Sequence, residues 1–225
     1  MPSAELIQLR QLLSEKFPRR RRRTTRATGE IGPCWTTGLP QIDEACGGFP
    51  NGAITEIVAG EKSSGSATLM GALFYRAASE NRIITLVDGG DTLDVTGIAP
   101  AVLARMLWIR CRSAGEALKA ADVVLRDNNL PLVFLDLVSN ASAQIRKISP
   151  TAWYRFQRLL EPTSTVCAVF TPRPMINPAV TRITLNFRLS LADLETDSAK
   201  WLAGMELSIS SAQHPGKMAS ENLAG

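Results

Sequence analysis

The residues best placed for chemistry lie in "AGEKSSGSATLMGALF", Ala59 to Phe74, where a glycine- and serine-rich loop runs into a helical stretch. Gly60 and Gly65 occupy the two glycine positions of G-x-x-x-x-G-K-[ST], a loop whose backbone N–H groups and following helix N-terminus cradle a phosphate. Ser66 stands where that pattern has its lysine, and Ala67 where it has the hydroxyl that binds magnesium. Losing the lysine removes a charge-assisted contact of about 1.5–3 kcal/mol, and losing the hydroxyl removes a metal ligand. Lys62, inside the loop, sits four residues early and is expected to point to solvent. Ser63, Ser64 and Ser66 keep the capacity to orient a sulfate or phosphate against the helix. Weak anion binding is the chemistry these residues allow.

The elements that must hold this loop are short β-branched runs alternating with helical ones. Strands are expected at "AITEIVA", "RIITLVD", "LWIRC", "LPLVFLDL", "STVCAVFTP" and "TRITLNFRLSL", with helices at "SATLMGALFYRAASE", "APAVLARM", "AGEALKAADVVLRD" and "SPTAWYRFQRLLEP" between the first five. Leu132 to Leu137 is apolar on both faces, as a central strand covered by helices requires. The fold class is therefore α/β with a mostly parallel central sheet flanked by helices. In such a sheet the loop lies at the carboxyl edge of the strands, where ligands bind. "LVFLD" ends on that edge with Asp136, where a carboxylate would hold magnesium through water. "GMELSISSAQ" reads as an edge strand.

Three segments are expected: residues 1–30 as a helix and arginine-rich linker, 31–213 as the α/β domain, and 214–225 as a disordered tail. In "AELIQLRQLLSEKF", Leu6, Leu9, Leu13 and Phe17 recur at helical spacing after Ser3 as N-cap, an apolar stripe that must bury itself on a partner or on its own domain. Arg19, Arg20, Arg21, Arg22 and Arg23 follow, a run of like charge that cannot pack. Such an arm either contacts nucleic-acid phosphates in a salt-sensitive way or serves as a solubilising linker. The chain's net charge of +4 comes wholly from this region, the remainder being nearly balanced.

Composition excludes several classes. At 225 residues and 45% hydrophobic, one good core is affordable. No apolar run approaches the roughly 18 residues of a membrane span, and no secretory signal opens the chain, so a cytoplasmic protein without membrane contact is expected. Cys34, Cys46, Cys111 and Cys167 form no C-x-x-C pair, so no metal site or disulfide framework is indicated.

Four motifs in order resemble the RecA family. "TTGLPQIDEACGGFPNGAITEI" is similar to the family's TG-x-x-x-L/I-D lead-in, "GEKSSGSATL" to its phosphate loop, "LVDGGDTLD" to its D-x-E strand end, and "LVFLDLV" to its second acidic strand, over roughly Trp35 to Leu191. The resemblance implies a RecA-like core with a degenerate loop, preceded by an amphipathic helix. The family's water-activating glutamate lies two residues after the strand-end aspartate; from Asp88 that position is Gly90. The resemblance thus implies a pseudo-ATPase, with no catalytic residue, no metal and neither ATP nor magnesium as cofactor. Asp136 remains as an unpartnered carboxylate that would repel nucleotide.

The loops with which RecA relatives hold DNA match "SNASAQIRKIS" and the proline-rich "TPRPMINPAVTR", leaving Arg146, Lys147, Arg173 and Arg182 as candidates for phosphate contact or as solvated surface charges. A short RecA-like domain with these losses, a preceding helix and a basic linker is similar to the ImuA family of SOS-induced translesion synthesis. That likeness implies an ImuB-like partner, an error-prone C-family polymerase, RecA as a further contact, DNA through the basic arm, and self-association. The SulA family of SOS cell-division inhibitors and an active RecA-type DNA-dependent ATPase are the alternative readings.

Overall fold

Seven strands form one sheet in the computed structural model, which describes residues 4–16, 33–60, 65–186, 202 and 204–211. In chain order these are β3 (Ala53–Val58), β4 (Ile84–Asp88), β5 (Met106–Arg110), β6 (Leu132–Asp136), β7 (Val166–Thr171), β8 (Thr181–Leu185) and β9 (Leu207–Ser211). A separate antiparallel pair, β1 (Cys34–Trp35) and β2 (Phe49–Pro50), precedes them. The sheet order is β5-β4-β6-β7-β3-β8-β9, with every pairing parallel except the antiparallel β8–β9 at one edge. The chain is thus α/β with a mostly parallel sheet, as the alternating pattern predicts.

Helices α1 (Ala4–Lys16), α5 (Ala114–Asp127), α6 (Ser142–Arg146) and α7 (Pro150–Leu160) are joined by contacts on one face of the sheet. On the other lie α2 (Pro40–Cys46), α3 (Ser66–Ser79) and α4 (Pro100–Leu103). Strand alternation divides the core accordingly. Val87, Val133, Leu135, Cys167 and Val169 pack under α5 and α7, whereas Leu86, Leu132, Phe134, Ala168 and Phe170 pack under α3. Phe134 anchors the second layer, its ring 5.9 Å from Phe74 and 6.4 Å from Phe170.

Four short elements, β1, α2, β2 and α6, were not read from the sequence. The lead-in segment folds as α2 between β1 and β2, and its T-G-x-x-x-I-D signature has a structural basis. Asp43 accepts hydrogen bonds from Thr37 N (2.8 Å), Thr37 Oγ1 (2.8 Å) and Gly38 N (2.9 Å), with Gly38 at φ 77°. The short α6 likewise occupies part of the stretch after β6 expected to be a loop.

The leucine stripe of α1 lies against its own domain. Leu13 is 2% exposed, and Leu6 and Leu9 pack beside it on the cluster built around α5. These three residues, expected as partner contacts if the helix did not fold back, are used internally because α5 offers Val123 and Val124 as an apolar counter-face. Ile7 (51% exposed) and Leu12 (41%) remain on the outer side. Phe17, Arg19 to Arg23, Lys62, Ser63, Ser64 and the expected tail lie outside the described residues, as do residues 187–201, where the last long strand was expected to continue.

Candidate functional site

Three chain segments converge on the carboxyl edge of the sheet: the turn after β3, the turn after β4 and the turn after β6. Gly60 follows β3, and its neighbour Ala59 is held by a hydrogen bond from its N–H to Thr171 O (2.8 Å). Gly65 caps α3 in the left-handed region (φ 82°), the conformation glycine takes without steric cost, and Ser66 opens the helix. Ser66 is half-buried and Ala67 exposed. Met205, from the segment leading into β9, closes over Gly65: a Cβ on that glycine would stand 2.9 Å from Met205 Cε. Met70 and Phe74, further along α3, point into the core.

Asp88 and Asp136 end adjacent parallel strands as register partners. Their surroundings differ. Asp88 is buried and accepts hydrogen bonds from Gly90 N (3.3 Å), Thr92 N (3.0 Å), Leu93 N (3.0 Å) and Trp108 Nε1 (3.3 Å), so its carboxylate folds the following turn. Gly90 is one of the donors in that turn, and a Cβ there would meet Thr92 Cγ2 at 3.3 Å and Ser139 Cβ at 3.4 Å. A side chain at this position would make Thr92 Cγ2 give by a few tenths of an ångström and would lie in contact with Ser139.

Asp136 has one donor, Val138 N at 2.9 Å. Burial raises its pKa from 3.8 to about 6, the Val138 hydrogen bond pulls it back, and the Asp88 charge pushes it up further. Folding therefore favours the protonated carboxyl. Its contribution is full below the ordinary aspartate value and is lost as pH rises through about 6. Asp136→Asn keeps an acceptor for Val138 and removes the charge, so we expect a gain of roughly 1–2 kcal/mol at about pH 7.5 and none near pH 3.5. Chemical unfolding of both proteins across this range checks it; a loss at the higher pH would mean that a cation holds the carboxylate.

The two turns are also tied together. Gly89 N donates to Asp136 O (2.9 Å) and Asn140 Nδ2 donates to Gly89 O (2.7 Å), leaving no room for a Cβ at Gly89, which would lie 2.5 Å from both Asp136 O and Asn140 Oδ1. Beside them Arg110 forms an ion pair with Asp91 (2.6 Å) and holds that carboxyl below the usual aspartate range. Among the described residues there is no cluster of three or more side chains suited to a metal ion.

The basic candidates separate. Arg146, Lys147 and Arg173 are exposed. Arg182 is not a free phosphate contact: its Nε donates to Glu56 Oε2 at 2.6 Å and its Nη2 to Ile176 O at 3.1 Å. Glu56, buried in mid-β3, also accepts from Thr171 Oγ1 (3.1 Å), Met175 N (2.8 Å) and Ile176 N (3.2 Å). The pair fixes the proline-rich segment after β7 that presents Arg173. A charged residue in the middle of the apolar run "AITEIVA" was the available signal for this arrangement; Met205 had none.

Among the described residues no helix is long and apolar enough to cross a membrane. The chain matches no protein-family model and no curated protein.

Proposed function

We propose that this chain is a non-catalytic RecA-like accessory protein, most similar to the ImuA family, that acts in SOS-induced translesion synthesis through protein contacts. In this reading the phosphate loop is degenerate, the preceding helix is amphipathic, and the fold serves as a docking platform for an ImuB-like partner and an error-prone C-family polymerase. RecA and self-association are further contacts, with DNA reached through Arg19 to Arg23. The protein acts in the cytoplasm.

The observation that carries the reading is the state of the carboxyl edge. Gly60 follows β3 and Gly65 stands at the start of α3, while Ser66 and Ala67 occupy the positions where the phosphate-loop pattern has its lysine and hydroxyl. Asp88 is engaged by the turn that contains Gly90, and Met205 packs onto Gly65. These features support loss of triphosphate chemistry with retention of the fold.

The test pairs calorimetry with co-purification. With magnesium and ATP the full chain is expected to show neither micromolar binding nor turnover, and to co-purify with an ImuB-like protein. Measurable turnover would establish the active ATPase instead. Tight capture of the tubulin-like division protein, without the ImuB-like one, would establish the SulA-like inhibitor.

A further inference from the structure

Next to the carboxyl-edge turns, to which Gln144 in its lining is joined through Asn140, α5, α6 and α7 border a groove of about 330 Å³ whose wall includes Leu118, Ile148 and Ala152 and whose rim carries Lys119, Lys147 and Arg155. The wall is continuous with the core, since Leu118 and Ile148 pack partly against the cluster beneath α5 and α7. The volume suits one or two apolar side chains and is at the small end for a drug-sized ligand of about 300–1,000 Å³.

Its charge is one-sided. Lys119 and Lys147 are exposed, and neither makes an ion pair among the described residues; Arg155 is bound to Asp122 at 2.9 Å and contributes less. Of the two helix N-termini beside the groove, that of α5 is capped by Ser113 and carries Glu116 in its first turn, so the partial positive charge comes from α7, which Ser149 caps and whose first turn holds no acidic residue. Ser149 has no side-chain bond to the backbone of α7; its hydroxyl is shared with Thr151 Oγ1 at 2.7 Å. An apolar floor under a cationic rim complements carboxylates flanking an apolar anchor. A nucleic-acid backbone would satisfy the rim and leave the floor unused.

We propose that this groove docks an acidic amphipathic segment of a partner protein, with an apolar side chain seated on Leu118, Ile148 and Ala152 and carboxylates meeting Lys119 and Lys147. Such a segment lays its apolar face into a groove as helix-in-groove partners do. The inference stands on the groove alone and is independent of the translesion reading, so either can fail without the other.

The probe is a fluorescein-labelled synthetic peptide of about 14 residues, with leucine and phenylalanine at i, i+3, i+4 and i+7 and aspartate or glutamate elsewhere. Fluorescence anisotropy with the full chain should show saturable binding that weakens at least about tenfold in Lys119→Glu/Lys147→Glu, both sites being exposed. Ala152→Trp, which fills the groove, should abolish binding, and so should replacing the peptide's leucines and phenylalanine with serine. If the tryptophan variant does not fold, the lysine pair and the serine peptide still decide. No binding by the parent protein overturns the proposal. So does binding unchanged in the lysine variant, as attachment to the arginine run would give. Retention of the serine peptide, or equal displacement by an oligothymidylate, would make the face a general anion or nucleic-acid surface and would also overturn it.

Discussion

Glu56→Ala is expected to lower the unfolding free energy by about 3–5 kcal/mol, since each buried donor left without its acceptor costs about 1–3 kcal/mol. Four donors lose their acceptor together: Arg182 Nε, Thr171 Oγ1, Met175 N and Ile176 N. Glu56 is fully buried, whereas the Arg182 side chain is 33% exposed and can turn toward water. The arginine is therefore the lesser part of the loss, and the three donors around Oε1 are the greater. Glu56→Gln keeps an acceptor but gives up charge assistance, for which about 1–2 kcal/mol is expected. Replacing Glu56 and Arg182 together by methionine should recover only the arginine's share, because the other donors still face an apolar group. Urea unfolding gives these values. Faster amide exchange at Met175 and Ile176 in the alanine variant would show that the carboxylate holds the segment carrying Arg173. A loss under about 1 kcal/mol with unchanged exchange would mean water replaces the carboxylate at little cost.

Gly48→Ala should be comparably severe, at about 3 kcal/mol or more. Gly48 has φ 97°, and a Cβ there would stand 2.2 Å from Trp35 O and 2.9 Å from Trp35 C. Those atoms are backbone, so relief requires β1 and β2 to separate. That movement would take Trp35 and Phe49 out of the layer they share with Phe134, where the rings of Trp35 and Phe134 lie 6.5 Å apart. It would also strain the 2.8 Å hydrogen bond from Trp35 Nε1 to Glu80. Thermal unfolding with tryptophan fluorescence as the readout checks the expectation. Gly71 is the internal control: in α3, with nothing within 4 Å of a built Cβ, its change to alanine should stabilise by up to about 1 kcal/mol.

Both cases bear on how the sequence relates to the site. The alternation of strand and helix signals is local, set by side-chain period and turn residues, and it reads directly into the order from β3 to β8. Boundaries drift where local signals conflict. Met106, read as the end of a helix, begins β5, because pairing with Ile84 outweighs its helical propensity. The carboxyl-edge positions of Gly60, Asp88 and Asp136 follow from the same pattern, since parallel strands all end on one side. What Asp88 does there is a different matter. Whether a strand-end aspartate faces a ligand or folds its own turn depends on the distance to Thr92, Leu93 and Trp108, and only the chain's three-dimensional path sets those distances.

Residue types in a fixed spacing determined, from the sequence alone, the α/β class and the placing of Ser66, Ala67 and Gly90 just after strands, because such information is carried within a few residues. Tertiary structure alone decided that Arg182 is paired with Glu56, that Leu13 lies on α5, that Met205 covers Gly65, and that Lys119 and Lys147 share one groove. The physical reason is separation along the chain. Glu56 and Arg182 are 126 residues apart, and the strong, short-range forces of burial and hydrogen bonding act on whichever atoms the sheet topology brings together.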